Sequence, residues 1–222
     1  MATVQGFGKR DNFIGLNLDW IGQNMETKRL VIVAVGGQGN LLASSVLGEA
    51  ALLTGIPLNM SEIHGMAQRG GVVESALVFG NARSTIISEG EADILVGFEP
   101  AETLRALSKC NADTTVITNL APLMPFTVNI GQGVYPDLQK LQKLIRSKTA
   151  KLIAFNAAAL AKEAGNVLAV NMVLLGALIQ TDVLPLTAEN VKEAMKRKTK
   201  QQFLDSNLKA FELGFGEAAK AA

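Results

Sequence analysis

The clearest hydrophobic run in the chain begins at Leu30, where LVIVAV is followed by the glycine-rich segment GGQGN and then by LLASSVLGEAALLTG. An uninterrupted apolar run rich in β-branched residues predicts a strand that is buried on both faces. The helical spacing of apolar residues up to Gly55 predicts a helix directly after it. Strand, glycine turn and helix in this order are typical of an α/β fold whose sheet is covered on both sides.

The remaining pattern continues this alternation of strands and helices. Further strands are predicted at IPLNMSE, VVESALVFG, ADILVGF, TTVITN and KLIAF, with helices at EPAETLRALSKC, YPDLQKLQKLIRSKT and NAAALAKEAG. VVESALVFG alternates apolar and polar residues, which suits an edge or antiparallel position. From NVLAVNMVLLGALIQ onward the pattern is helical, and Thr187 is placed to cap one of these helices. The sequence therefore predicts a Rossmann-like, open, mostly parallel sheet with helices on both faces and a helical C-terminal third.

The length of the chain and its composition favour one domain. A chain of 222 residues with 48% hydrophobic residues can bury a substantial core. Residues 1–27 have no regular period and are predicted to be an N-terminal extension. Residues 28–222 are predicted to form a single domain.

Charge and cysteine content exclude several classes of function. Twenty-one Lys and Arg against 20 Asp and Glu leave a net charge of +1, which argues against a nucleic-acid partner. A single cysteine, Cys110, excludes both an intramolecular disulfide and an iron–sulfur cluster held by this chain, and a lone histidine leaves no typical metal site. Without an apolar run of about 18 residues or a leader-like start, we expect a cytoplasmic protein with no membrane partner.

The glycine turn is the first candidate site. Gly36, Gly37 and Gly39, with Gln38 and Asn40 beside them, lead from a strand into a helix, so backbone N–H groups and the helix dipole favour an anion. Leu42 stands where the dinucleotide fingerprint has its third glycine, so the match is partial. Phosphate or nucleotide binding, a subunit contact and a tight turn without ligand all remain open. Glu62 is placed to bind a ribose, which keeps a nicotinamide enzyme among the alternatives.

The second candidate site is the segment HGMAQRGG, residues 64–71, which holds the only histidine. His64 is expected just after the second strand, and the carboxyl ends of strands carry the ligand crevice in open α/β sheets. Gln68 and Arg69 add neutral and cationic donors beside Gly70 and Gly71, a combination suited to a carboxylate or a phosphate. The alternative is a surface histidine in a connection that the glycines merely shape.

These two segments also carry a family resemblance. VAVGGQGNLLASSVLGEAALLTG followed by SEIHGMAQRGGVVESALVFG resembles the gamma-type subunit of the 2-oxoacid:ferredoxin oxidoreductases. The resemblance covers about residues 28–200, including ADILVGFEPAETLRAL and NMVLLGALIQTDVLPLTAENVKEAMK, and leaves out the N-terminal extension. Within this family, the sequence HGMAQRGG favours the branch that acts on indolepyruvate or other aryl pyruvates.

The resemblance implies a subunit that is inactive alone. Enzymes of this family decarboxylate a 2-oxoacid on thiamine diphosphate, pass electrons through iron–sulfur clusters to ferredoxin and deliver the acyl group to coenzyme A. A separate large subunit would hold the thiamine diphosphate, magnesium and clusters and would contact ferredoxin, so this chain is expected to bind no cofactor by itself.

Beyond what the resemblance implies, we hypothesise that both candidate segments form one wall of the active-site crevice at the contact with the large subunit. The candidate catalytic residues are His64, Gln68 and Arg69. The candidate cofactor-contacting residues are Gly36, Gly37, Gln38, Gly39, Asn40, Glu62, Gly70 and Gly71. Two alternatives are a stand-alone oxidoreductase that binds NAD or flavin in the glycine turn and a binding module without chemistry.

Overall fold

A computed structural model of the chain describes residues 25–65, 71–124, 128 and 130–221. Within these residues, the strands are β1 Lys28–Val35, β2 Leu58–His64, β3 Val72–Phe79, β4 Ala92–Gly97, β5 Cys110–Asn119 and β6 Lys151–Phe155. The helices are α1 Asn40–Thr54, α2 Pro100–Arg105, α3 Leu138–Arg146, α4 Ala157–Glu163, α5 Val170–Gln180, α6 Ala188–Lys198 and α7 Gln201–Ala219. A 3-10 turn, Ala106–Lys109, follows α2 directly.

The strands form one open sheet in the order β2-β3-β1-β4-β5-β6. The pairs β1–β4, β4–β5 and β5–β6 are parallel, whereas β3 is antiparallel to both β1 and β2. The third predicted strand, whose apolar and polar residues alternate, is therefore β3, which is antiparallel to its neighbours and lies inside the sheet. The edge strand is β2. Because β3 runs opposite to both neighbours, β1 and β2 point the same way and end at the same edge of the sheet.

Helices cover both faces of the sheet, as predicted. Leu30 and Ile32 of β1 are buried against α1 and the helices α4 to α7. Val31 and Val33, on the opposite face of the same strand, are buried in a second cluster with the 3-10 turn and α3. This two-sided burial is why the β1 segment is apolar without interruption.

The C-terminal third is helical, as its pattern indicated. All residues from 171 to 179 in α5 are buried, and Thr187 forms a capping box with Asn190 at the start of α6. Helices α5 and α7 approach so closely that a Cβ on Gly214 would overlap the backbone carbonyl of Val173. This close packing places α5 directly against α7.

The structure differs from the sequence prediction at the end of the second strand. The placement of His64 after the second strand is wrong, because His64 is the last residue of β2 and pairs with Val73. Pairing with the neighbouring strand, which the period of the segment itself does not reveal, extends β2 to this residue. Of the predicted extension, residues 1–24 lie outside the described residues, and Met25 packs against the core. No helix among the described residues is long and apolar enough to cross a membrane.

Candidate functional site

The carboxyl ends of β1 and β2 meet at a pocket of about 530 Å³. The structure thus brings the glycine turn and His64 together, as the sequence predicted. The residues that line the pocket are Val35, Gly36, Gly37, Gly39, Asn40, Leu41, His64, Gly65, Val72 and Val73. The backbone N–H of Gly36 donates to the carbonyl of Gly71 at 2.8 Å, which ties the turn after β1 to the segment before β3.

The conformation of the turn depends on glycine and on Gln38. Gly37 and Gly39 have φ angles of 99° and 85°, in the left-handed region that favours glycine. The side-chain oxygen of Gln38 accepts from the backbone N–H of Val35 at 2.8 Å, and its amide nitrogen donates to the carbonyl of Phe98 at 3.4 Å. Gln38 therefore holds the shape of the turn, and it is not among the residues that line the pocket.

Helix α1 begins at the pocket without a side-chain cap. Gly39 is the N-cap residue, and the first helical hydrogen bond runs from the N–H of Ala43 to the carbonyl of Gly39 at 3.1 Å. The N–H groups of residues 40–42 therefore have no partner within the helix. These N–H groups and the positive end of the helix dipole make the pocket suited to an anionic group.

A line of polar side chains runs from the start of α1 to His64. Nδ2 of Asn40 donates to Oγ of Ser75 at 2.9 Å, and Oγ of Ser75 donates to Oε1 of Glu62 at 3.2 Å. Oε2 of Glu62 lies 4.0 Å from Nε2 of His64. Asn40 and Ser75 are buried, while the His64 side chain is 52% exposed. Sequence reasoning missed Ser75, because its role depends on the pairing of Glu62 with Ser75 across β2 and β3.

Three of the sequence-predicted site residues, Gln68, Arg69 and Gly70, lie outside the described residues. The two ends of their segment are fixed, since the N–H of Gly65 donates to the carbonyl of Val72 at 2.8 Å. The ends of this connection therefore lie at the mouth of the pocket. The catalytic and cofactor-contacting roles of these residues stay predictions.

A second polar cluster, which the sequence did not indicate, follows β4. The buried carboxylate of Glu99 accepts from the N–H groups of Glu102 at 3.0 Å and Leu123 at 3.3 Å, and from the hydroxyl of Tyr135. Burial raises the pKa of Glu102, and burial together with the Glu99 carboxylate raises the pKa of Tyr135. The cluster anchors the segment after β5 to the start of α2. A nearby carboxylate and a tyrosine that resists ionisation suit an anchor better than a proton-transfer site.

Cys110 does not belong to the pocket. It begins β5, at the edge of the sheet opposite to the carboxyl ends that form the pocket. Burial raises the pKa of the Cys110 thiol to about 11, which leaves very little thiolate at neutral pH. The chain therefore offers no activated cysteine nucleophile at the candidate site.

The described residues do not fit a resident metal or cluster. Among them, no group of three or more His, Cys, Asp or Glu side chains is arranged to hold a metal ion. The full sequence contains one cysteine, and an iron–sulfur cluster needs about four thiolate ligands. The described lining of the pocket suits an anionic or polar organic group.

The geometry of the glycine turn after β1 does not favour the alternative that the chain binds NAD there. Leu42, at the position of the missing third glycine, packs against the core. A Cβ on Gly39 would lie 2.6 Å from Nδ2 of Asn171, so this glycine admits a neighbouring helix. In a dinucleotide fold, the second glycine instead leaves room for the pyrophosphate.

Comparison with known proteins agrees with the resemblance. The family model for pyruvate ferredoxin/flavodoxin oxidoreductase matches residues 29–217. Indolepyruvate oxidoreductase subunit IorB of Pyrococcus horikoshii is 41% identical over 198 residues, covering 88% of this chain and 98% of that protein. The gamma subunit of the keto/oxoacid ferredoxin oxidoreductase from Geobacter sulfurreducens has a similar fold, with a TM-score of 0.65 and 22% identity over 87% of this chain and 99% of that one.

A longer solved chain contains the same fold as one part. The 2-oxoglutarate:ferredoxin oxidoreductase from Magnetococcus marinus, solved with 2-oxoglutarate, coenzyme A and succinyl-CoA, aligns with a TM-score of 0.66 and 17% identity. The match covers 89% of this chain and 32% of that one. The described fold therefore occurs both as a separate chain and within a larger chain.

Proposed function

Because the chain belongs to the pyruvate ferredoxin/flavodoxin oxidoreductase family, we propose that it is the cluster-free small subunit of a 2-oxoacid:ferredoxin oxidoreductase. The proposed substrate is indolepyruvate or another aryl pyruvate. The observation that carries the proposal is the meeting of the glycine turn and His64 in one pocket, in a chain that matches nearly the whole length of an indolepyruvate oxidoreductase subunit.

The proposed reaction is the oxidative decarboxylation of the 2-oxoacid to an acyl-CoA, with ferredoxin as the electron acceptor. Thiamine diphosphate, bound by the large subunit, would supply the chemistry that cleaves the bond to the carboxylate. This chain contributes a wall of the crevice in which the substrate and coenzyme A meet. The single cysteine and the absence of a metal-binding group among the described residues support an assignment of the cofactors to the partner.

The proposed contribution of the wall is electrostatic. The uncapped start of α1 supplies N–H groups to an anionic group in the pocket, and Arg69 would add a positive charge to a substrate carboxylate or a coenzyme A phosphate. His64 would donate a hydrogen bond to a ligand in the pocket or take part in proton transfer. These roles place the charged parts of the ligands and leave the redox chemistry to the partner.

Apolar side chains near the pocket support a protein partner at this edge. Leu41 is 58% exposed in the first turn of α1, and Val167 and Leu168 are 64% and 75% exposed just before α5. Asn171 of α5 contacts the glycine turn, so both segments lie near the same rim. Exposed large apolar residues next to a polar pocket are typical of an interface.

The proposal is tested by expressing this chain with and without the large subunit. Thiamine- and coenzyme A-dependent reduction of a ferredoxin surrogate is then measured with indolepyruvate, phenylpyruvate and pyruvate. We expect co-purification, turnover only in the mixture, and a preference for the aryl substrates. Turnover with pyruvate alone would move the chain to another branch of the family. Failure to co-purify or to turn over any 2-oxoacid would contradict the subunit assignment.

A further inference from the structure

Glu62 occupies a protected position between the start of α1 and the pocket. Its side chain is 17% exposed, compared with 52% for His64, which stands at the end of the same strand. Ser75, directly opposite Glu62 on β3, is fully buried, and Asn40 is 4% exposed. A carboxylate that is largely removed from water and held by buried partners has a restricted orientation.

The direction of each hydrogen bond in this line follows from the donor chemistry. An amide nitrogen can only donate, so Nδ2 of Asn40 donates to Oγ of Ser75. The Ser75 hydroxyl is then left with its single proton, which it donates to Oε1 of Glu62. Oε1 of Glu62 is therefore an acceptor that is already engaged, and Oε2 is the oxygen that faces Nε2 of His64 at 4.0 Å.

At 4.0 Å, Oε2 of Glu62 lies beyond the range of a hydrogen bond to Nε2, so the carboxylate acts on the imidazole through its negative charge. Neutral histidine carries its proton on either Nδ1 or Nε2, and the partner of one nitrogen decides which form is populated. A carboxylate oxygen favours the proton on Nε2 and leaves Nδ1 as the acceptor. Among the described residues, Glu62 is the ionisable group recorded next to His64.

From this geometry we propose that Glu62 is a positioning residue: the buried pair Asn40 and Ser75 orients its carboxylate, and the charge of that carboxylate favours the form of His64 with its proton on Nε2. The assignment to catalysis rests on the proposed function, in which His64 contacts the reacting ligands. Which imidazole nitrogen carries the proton is a property of this chain and can be measured separately.

The test is Glu62→Gln, followed by nitrogen NMR of the single imidazole. Ser75 still requires an acceptor, so the Gln oxygen takes the place of Oε1 and the amide NH₂ faces His64 Nε2. The NH₂ group disfavours a proton on the nitrogen that it faces, and the negative charge that favoured this proton is lost. We therefore expect the proton to move from Nε2 to Nδ1 in the variant. Because the sequence contains one histidine, the signals are unambiguous if the purification tag contains none.

The matched control is Glu74→Gln, the same substitution one residue before Ser75 on β3. Glu74 pairs with Ile63, the neighbour of Glu62 on β2, and successive residues of a strand point to opposite faces. We expect Glu74→Gln to keep the proton on Nε2. The spectra are recorded on the labelled chain assembled with its unlabelled large subunit, and turnover is measured on the same samples.

The two readouts separate this inference from the proposed function. Transfer of the proton to Nδ1, together with a fall of kcat/KM on the order of tenfold, supports both. Transfer of the proton with unchanged turnover supports the positioning role and counts against a catalytic role of His64. A proton that stays on Nε2 in Glu62→Gln overturns the positioning role, whatever the turnover.

Glu62→Asp is a second variant, which tests the proposal if Glu62→Gln does not fold. Glu62→Asp keeps a negative charge on this strand but withdraws the carboxylate from both Ser75 and His64 by one methylene group. We expect the population with the proton on Nε2 to fall below that of the unmodified chain. An unchanged population in Glu62→Asp would overturn the proposal.

Discussion

The side chain of Asn171 donates a hydrogen bond from Nδ2 to the carbonyl of Gly39 at 3.2 Å, across a sequence separation of 132 residues. A Cβ on Gly39 would lie 2.6 Å from the same nitrogen, and the backbone of Gly39 has a φ of 85°. The pair therefore fixes the start of α1 against the start of α5. One side of the pocket depends on this contact.

Substituting Gly39 tests the contact, with Gly37 as the matched position. Gly39→Ala adds left-handed backbone strain and displaces Asn171, so we expect the free energy of unfolding to fall by about 3 kcal/mol. Gly37→Ala has a φ of 99° and nothing within 4 Å of the added Cβ, so strain alone should cost about 1–2 kcal/mol. Urea unfolding of both variants gives the two values. Equal losses of free energy of unfolding in the two variants would show that Asn171 moves aside at no energetic cost.

Local patterns in the sequence were sufficient to predict most of the fold. The β1 run, the glycine turn and the buried α5 were predictable because each depends on the period of its own segment. The contact of Gly39 with Asn171 and the pairing of Glu62 with Ser75 were not, because they depend on how distant segments pack and on strand register. The end of β2 at His64 was missed for the same reason.

The candidate site was predictable only in part. The rule that strands in an α/β sheet carry ligands at their carboxyl ends was enough to place His64 beside the glycine turn. Asn40 and Glu62 were candidates from the sequence, but Ser75 and the hydrogen bonds that join the three residues were not, since they depend on strand register. The anchor of Glu99 and Tyr135 joins residues 36 positions apart and likewise requires the folded structure.

The single tyrosine gives a direct optical test of the Glu99 anchor. Burial and the Glu99 carboxylate raise the pKa of Tyr135, so the folded chain should hold the phenol proton above the ordinary value of about 10. The unfolded chain then ionises first, and the folded state loses stability as pH rises above about 10. Phenolate absorbance should appear at higher pH in the native protein than in urea. Coincident titration curves would contradict the anchor.

Glu102 should make stability depend on pH in the opposite sense from an ordinary paired carboxylate. Burial raises the pKa of Glu102 above 4.5, so the folded state binds the proton more tightly and loses stability as pH rises through that range. We expect Glu102→Gln to gain stability relative to the unmodified chain between about pH 4 and pH 7. Urea unfolding at several pH values measures the difference.

Glu189 provides the control with the opposite sign. A backbone hydrogen bond in the first turn of α6 and the Thr187 hydroxyl lower the pKa of this exposed carboxyl. Its contribution to stability is present above the unfolded pKa and is lost as pH falls. Glu189→Gln should therefore lose stability relative to the unmodified chain as pH rises. The same change of stability with pH in both variants would show that burial does not set the pKa of Glu102.

Cys110 should react slowly with thiol reagents. With its pKa raised to about 11 by burial, the thiolate fraction at pH 8 is about two orders of magnitude below that of a free cysteine. We expect alkylation of the native chain by iodoacetamide to be slower by about that factor than alkylation in urea. Mass spectrometry follows the reaction at the single site. Comparable rates in both states would mean that the thiol is not protected by the fold.

The last prediction concerns His64, the last residue of β2, and Arg69, in the segment that follows it, in the complex with the large subunit. His64→Asn and Arg69→Ala should each lower kcat/KM by at least about tenfold while co-purification persists. Arg83→Ala, an exposed arginine after β3, is the matched control and should leave turnover unchanged. A higher KM for the 2-oxoacid alone in Arg69→Ala would assign its charge to the substrate carboxylate, whereas a higher KM for coenzyme A alone would assign it to a phosphate. Full turnover and assembly in both variants would show that residues 64–71 do not form part of the active-site wall.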